Sequence, residues 1–339
     1  MLLEARDIRV SFRKENQTRL FGRERATILH GVSLELEKGE CLGIIGESGS
    51  GKSTLGRVLC GLLRPDSGKV LLNGTPLYGR HTPEELARIR NRISIVFQDY
   101  TTSVNPRFRV STILHESFRA LRRAGRTISA EEEYRTACAL LERVGLRADL
   151  MHRYPHELSG GQLQRAAIAR AVALEPALLV CDEPVASLDV SIQAQVLELL
   201  LQLRNRMKMA MLFVSHNLSV VRCICDRVTV MYLGRIVESG TVEAVFSRPL
   251  HPYTKLLMAS TPGADAHVVR YYPKGAMPSP IDRPKGCVFA SRCPLAEARC
   301  RTDVPPLRDD GSGHLAACFS GPSFLLHLSL IHISEPTRQ

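Results

Sequence analysis

No stretch of about 18 consecutive apolar residues occurs in this 339-residue chain, which excludes the usual signature of a membrane-spanning helix. Its opening residues, Met1-Leu2-Leu3-Glu4-Ala5-Arg6-Asp7, lack the basic, apolar and small-residue order of a secretory signal, so no export by that signal is expected. Internal repeats are absent. Lysine is scarce, 8 residues against 37 arginines, and the net charge of +11 suits partners that carry phosphate, nucleic acid or an anionic membrane face without choosing among them. Hydrophobic residues at 44% and charged residues at 23% exclude a disordered, collagen-like or disulfide-stapled class. The length is enough for a sizeable core and, by the ordinary size prior, for two domains. Ten cysteines without an export signal meet a reducing compartment, where clustered thiols more often bind metal. Cys41, Cys60, Cys138, Cys181, Cys223 and Cys225 sit in mostly apolar surroundings and read as core, whereas the other four crowd between Cys287 and Cys318.

Period-two alternation predicts strands over Ile8–Phe12 and Val32–Leu36, separated by a polar, basic loop from Arg13 to Arg25. Cys41 to Ile45 is a short apolar run that stops at Gly46, and a helical pattern begins near Lys52, giving the order strand, glycine loop, helix. Helical stripes follow over 114–123 and 131–144, with a further helix after Ser159, so residues from about 100 to 173 read as a helical insertion. Strand-like runs return at 177–181, 210–214 and 227–231, separated by helices over 190–207 and 217–225. Proline, glycine and arginine then become frequent, which places a domain boundary between Phe246 and Pro262.

Gly46-Glu47-Ser48-Gly49-Ser50-Gly51-Lys52-Ser53 satisfies the G-x-x-x-x-G-K-[ST] pattern in that strand-to-helix setting. Such a loop wraps phosphate oxygens with backbone N–H groups and the helix N-terminus, sends Lys52 to the outer phosphates and offers the Ser53 hydroxyl to Mg²⁺. Kinases, GTPases and many ATPases share it. Ala177-Leu178-Leu179-Val180-Cys181-Asp182-Glu183 is an apolar strand ending in paired carboxylates, of which Asp182 can hold Mg²⁺ through water and Glu183 can orient or deprotonate an attacking water. Leu158-Ser159-Gly160-Gly161-Gln162 caps a helix rich in alanine and arginine and makes a second anion site. Two phosphate sites that cannot embrace one nucleotide within a monomer point to a head-to-tail dimer in which each partner caps the other's ATP.

With these motifs in place the chain resembles the ATP-binding-cassette (ABC) family from about Leu2 to Ser260. The resemblance implies an α/β fold with a P-loop NTPase core, an antiparallel β subdomain, the helical insertion and a small cysteine-containing C-terminal segment. Residues 1–250 would be the nucleotide-binding domain and 251–323 the C-terminal segment. It also assigns Walker A to Gly46, Ser48, Gly49, Gly51, Lys52 and Ser53, with Thr54 following, and the Q-loop to Gln98. Walker B falls on 178–183, the signature on Ser159, Gly160, Gly161 and Gln162, the D-loop on Ser187-Leu188-Asp189 and the switch histidine on His216. Glu183, His216 and Gln98 would act on the nucleotide, Mg²⁺ would meet Ser53, Gln98 and Asp182, and Phe12 or its competitor Phe21 would stack on adenine.

Finer resemblance points to the oligopeptide, dipeptide and nickel importer branch, through residues 98–107 and through His251-Pro252-Tyr253-Thr254-Lys255-Leu256-Leu257. In that branch Cys287, Cys293, Cys300 and Cys318 resemble a [4Fe–4S] site, with tetrahedral zinc as the alternative. The implied protein is a peripheral ATPase at the cytoplasmic membrane face. It would work with a second, paralogous ABC ATPase subunit, two transmembrane permeases and, through the complex, an extracytoplasmic substrate-binding protein. No nucleic acid is expected, and 99–109 is the candidate permease contact. The rival classes are a soluble ABC ATPase acting on nucleic acid or ribosomes, and a redox-regulated ATPase module. Residues Leu328 to Arg338 resemble a translated sequencing adapter, so 324–339 is expected to be a non-native tail.

Overall fold

The computed structural model describes residues 1–13, 25–99, 101–123, 129–260, 278 and 284–320. Strands β1 (Leu3–Arg13) and β2 (Arg25–Leu36) pair antiparallel, and β3 (Cys41–Ile45) leads through the glycine loop into α1 (Lys52–Leu59). Next come β4 (Ser67–Leu72), β5 (Thr75–Pro76), α2 (Pro83–Arg90) and β6 (Ile93–Val96). The helical region comprises α3 (Val110–Arg123), α4 (Ala130–Arg143) and α5 (Gly160–Val172). Then β7 (Leu178–Asp182), α6 (Val190–Met207), β8 (Ala210–Val214), α7 (Leu218–Ile224), β9 (Arg227–Tyr232) and β10 (Arg235–Thr241) alternate before α8 (Val242–Ser247) and α9 (Pro252–Ala259). Short elements close the described chain: α10 (Ala298–Thr302), β11 (Arg308–Asp309) and β12 (Leu315–Ala316).

Two sheets result, ordered β2-β1-β4-β5 and β11-β12-β10-β9-β3-β8-β7-β6. In the larger one β6, β7, β8, β3 and β9 run parallel, and β3, β7 and β8 are buried along their whole length, as unbroken apolar runs require. The two faces feed two cores with a period of two. Leu179, Cys181, Met211 and Phe213 face the core shared with the helical region, while Leu178, Val180, Leu212 and Val214 face Leu55, Val58 and Leu59 of α1 and the antiparallel sheet. In the helical region Val110, Leu114 and Phe118, four residues apart on α3, and Ala137, Leu140 and Leu141 of α4 enter the first core. Ser129 and Ser159 cap α4 and α5 through their hydroxyls.

The cysteine-containing segment continues the larger sheet: β12 pairs with β10 through Glu238 and Ser239. The wholly buried Glu238 carboxylate accepts from the backbone N–H groups of Leu250 and His251, each at 2.8 Å, and lies 2.7 Å from His314 Nε2. One side chain thus ties β10, the start of α9 and the C-terminal segment together. Phe21, most of the loop 13–25 and the segment 324–339, including Leu328 to Arg338, lie outside the described residues.

Candidate nucleotide site

At the end of β3 the chain must turn sharply, and Gly46 does so at φ 151° where a Cβ would meet the Met231 carbonyl oxygen at 2.2 Å. Gly51, at φ 98°, opens α1 and releases the chain into the helix. The Lys52 side chain folds back across this loop, its ammonium donating to the Gly46 carbonyl at 2.8 Å and the Glu47 carbonyl at 2.9 Å. Burial pushes the Lys52 pKa down, and the carboxylates of Glu183, Asp182 and Glu47 oppose that shift. Among the described residues, the buried Ser50 hydroxyl has no hydrogen-bond partner.

The carboxylate strand β7 delivers Asp182 beside the start of α1, and Ser53 Oγ donates to Asp182 Oδ1 at 2.9 Å. Burial raises the Asp182 pKa, with the Ser53 hydrogen bond working against it and Glu183 adding to it. The Ser53 hydroxyl and the Asp182 carboxylate are two hard oxygen donors that fit Mg²⁺, and the loop of N–H groups with Lys52 fits polyphosphate. Glu183 leaves the strand at φ 49°, its N–H held by the Val214 carbonyl at 2.9 Å, so its side chain turns away from the β7 face pattern. His216 Nδ1 lies 3.1 Å from Glu183 Oε1.

A cleft of about 730 Å³ gathers Phe12, Ser48, Gly49, Gly51, Lys52, Ser53, Thr54, Gln98, Glu183 and His216, together with Ile28. Phe12 is 44% exposed, so its ring is available to a ligand at the cleft mouth. The signature residues and Asp189 do not line this cleft. Ser159 and Gln162 are instead engaged with each other in a capping box, and a Cβ on Gly161 would meet Ile192 Cγ2 of α6 at 2.9 Å. Asp189 sits at the N-cap of α6 without a side-chain capping bond, beside Val190, which is 82% exposed.

Beyond Gln98 the chain forms an Asx turn in which Asp99 Oδ1 accepts from the Thr101 hydroxyl and from the N–H groups of Thr101 and Thr102, holding the carboxyl pKa below its ordinary value. Arg170 of α5 donates to the Ser103 carbonyl at 2.7 Å, and Arg109 lies over the Tyr154 ring. The segment after the cleft is therefore fastened to the helix that carries the signature.

The four C-terminal cysteines lie within the described residues. Among the described residues no group of three or more His, Cys, Asp or Glu is arranged to hold a metal, so Cys287, Cys293, Cys300 and Cys318 do not form a ligand set in this geometry. Burial raises the Cys287 thiol and pushes Cys293 up to about 12, and the neighbouring sulfurs add to both shifts. Sequence reasoning also missed Ile28, Tyr232, Tyr253 and Arg292 as neighbours of the phosphate loop. Glu47 donates its N–H to Tyr253 Oη at 2.7 Å and accepts at its carboxylate from Arg292 at 2.9 Å. No local motif signals these contacts.

Among known proteins, residues 29–186 match the ABC transporter family and residues 237–300 match the C-terminal region of oligopeptide/dipeptide transporters. The chain is 43% identical over 324 residues to the oligopeptide transport ATP-binding protein OppF of Salmonella typhimurium, covering 94% of this chain and 96% of that one. It is 44% identical over 298 residues to the dipeptide transport ATP-binding protein DppF of Haemophilus influenzae, covering 87% and 90%. Among solved structures, the ATP-binding cassette MJ0796 in a dimeric post-hydrolysis state with ADP and Pi aligns with a TM-score of 0.62 at 26% identity, covering 71% of this chain and 99% of that one.

Proposed function

The chain belongs to the ATP-binding subunits of ABC transporters, in the oligopeptide and dipeptide importer branch, and from that premise we propose how its residues turn ATP hydrolysis into peptide import. The observation that carries the reading is the convergence of Lys52, Ser53, Gln98, Glu183 and His216 on one cleft with Phe12 at its mouth. Phe12 stacks on the base, the loop from Gly46 to Thr54 binds the phosphates, and Lys52 exchanges its carbonyl partners for phosphate oxygens. Ser53, Asp182 and Gln98 would hold Mg²⁺, which when bound neutralises charge on the phosphate oxygens. Glu183 orients the attacking water and takes its proton, and His216, 3.1 Å away, positions that carboxylate.

Ser159, Gly160, Gly161, Gln162 and Asp189 serve the nucleotide of a second ATPase subunit, because they sit at the starts of α5 and α6 away from this chain's cleft. ATP held between two subunits favours the closed pair by mass action, and hydrolysis removes that link. Residues 99–109, which follow Gln98 and include the arginine-bound Ser103, carry this closure to a permease. The subunit therefore works at the cytoplasmic face with a paralogous ATPase, two permeases and a substrate-binding protein. Uptake of labelled peptide into vesicles carrying the assembled complex tests this: import must require ATP inside, and import that proceeds without ATP would refute it.

For the C-terminal cysteines the reading is a [4Fe–4S] centre, with zinc as the alternative. Its support is the placement of four thiols in one segment, close enough to act on one another's protonation. Anaerobically purified protein should show broad visible absorbance that Cys293→Ser removes; colourless, metal-free protein would sink both metals.

A further inference from the structure

Glu47, the second residue of the phosphate loop, is held at each of its polar groups. Its N–H goes to Tyr253 of α9, its carbonyl receives Lys52, and its carboxylate receives Arg292 from the cysteine-containing segment. Arg292 is itself only 8% exposed and donates also to Tyr232 Oη at 3.2 Å. Its guanidinium lies 5.9 Å from the Tyr232 ring and 6.0 Å from the Phe289 ring, within a cluster in which Tyr232, Tyr253 and Phe289 pack edge to face or tilted at 4.6 to 5.5 Å. Phe289 and Arg292 both fall between Cys287 and Cys293, so the cysteine-containing segment reaches the phosphate loop.

We propose that Arg292 is a positioning residue for nucleotide binding, neutralising the Glu47 carboxylate and clamping the phosphate loop from the C-terminal segment. This rests on the nucleotide reading of the cleft. An anion in the loop needs positive potential, and Glu47 places a carboxylate at its edge that both repels phosphate and competes for Lys52. Pairing that carboxylate with a rigid, permanently charged fork cancels the repulsion and fixes the loop backbone.

The test is equilibrium titration of the full-length chain with a fluorescent ATP analogue, alongside steady-state turnover of the assembled complex. Arg292→Gln is expected to weaken binding about tenfold, equivalent to about 1.4 kcal/mol, with the loss appearing in KM rather than kcat. Raising the salt concentration should shrink that penalty, because the Glu47 side chain is partly exposed. Removing the opposing charge as well, in Arg292→Gln/Glu47→Gln, should restore affinity to within about threefold of wild type. Unchanged affinity in Arg292→Gln, or a loss that the double variant does not recover, overturns the proposal and leaves Arg292 as an anchor of its own segment. Should Arg292→Gln fail to fold, Glu47→Gln alone decides: tighter binding than wild type supports the proposal and weaker binding overturns it. Wild-type chain that binds no nucleotide would instead refute the nucleotide reading itself.

Discussion

Replacing Glu183 by glutamine removes one proton acceptor and almost nothing else. The side chain is only 15% exposed and faces His216 at 3.1 Å, so bulk water cannot easily supply a substitute base. Glutamine keeps the length and, at φ 49°, meets the same backbone demand that glutamate already meets. Losing a positioned general base costs a factor of about 10² to 10⁴, which is about 2.7 to 5.4 kcal/mol on the barrier. Binding should move the other way. Glu183 is the foremost of the carboxylates acting on Lys52, so removing its charge relieves repulsion of the phosphates and frees Lys52 for them. The expected pattern is turnover reduced at least a hundredfold in a complex whose partner cassette is inactivated, with ATP binding equal to or tighter than wild type. Turnover within a few-fold of wild type would refute the assignment of the base, and a parallel loss of binding would show that Glu183 serves the fold of the cleft.

Asp182→Asn should abolish Mg²⁺-dependent hydrolysis yet raise the melting temperature of nucleotide-free protein at pH 7. Burial raises the Asp182 pKa, so its ionised form is disfavoured in the fold; the gap between variant and wild type should be full above the folded pKa and close as pH falls below the unfolded value, and equal melting at pH 7 would refute it. His251, buried at the N-cap of α9 with its pKa lowered to about 4 by burial, contributes stability that is present above its unfolded value of 6.5 and lost as pH falls towards 4. His251→Asn, which keeps a capping acceptor for the Tyr253 N–H, should flatten the melting curve against pH in that window; parallel slopes would refute the linkage. Ser159→Arg should stop turnover of the assembled complex while this chain's own nucleotide affinity stays within about twofold, since Ser159 does not line its cleft; a matching loss of affinity would place the signature in the chain's own site.

Elements whose signal is local were legible in the sequence. The helix over Val190–Met207 and the strand over Ala210–Val214 coincide with the reading from periodicity, and Ser159 caps α5 as its position beside two glycines implies. The phosphate loop was legible for the same reason, because strand, turn and helix follow one another within a few residues. Strands β1 and β2 run longer than predicted, to Leu3 and back to Arg25, since register shifts at Ala5, Ile8 and Val10 break the alternation that a period-two search follows. The short β11 and β12 carry two residues each and form only because the edge of β10 offers β12 a partner and β12 in turn offers one to β11. No propensity could announce them.

The C-terminal segment shows why a site can be half legible. Cysteine spacing drew attention to thiols, which are rare residues with a known appetite for metal, and the arginine between them passed as one of many. What gives Arg292 its place is a partner 245 positions earlier in the chain. A buried guanidinium must find an acceptor, and the acceptor that this topology brings to it is the one carboxylate inside the phosphate loop. The pairing is a consequence of strand order: β9 lies beside β3, so the Tyr232 end of one strand meets the Gly46 end of the other, and whatever packs on Tyr232 also reaches Glu47. Phe289 packs there by its apolar bulk and carries Arg292 with it. The same apolar contact that anchors the segment thereby sets the charge beside the phosphate loop, which is how, on the proposed reading, nucleotide affinity becomes sensitive to a region outside the cleft.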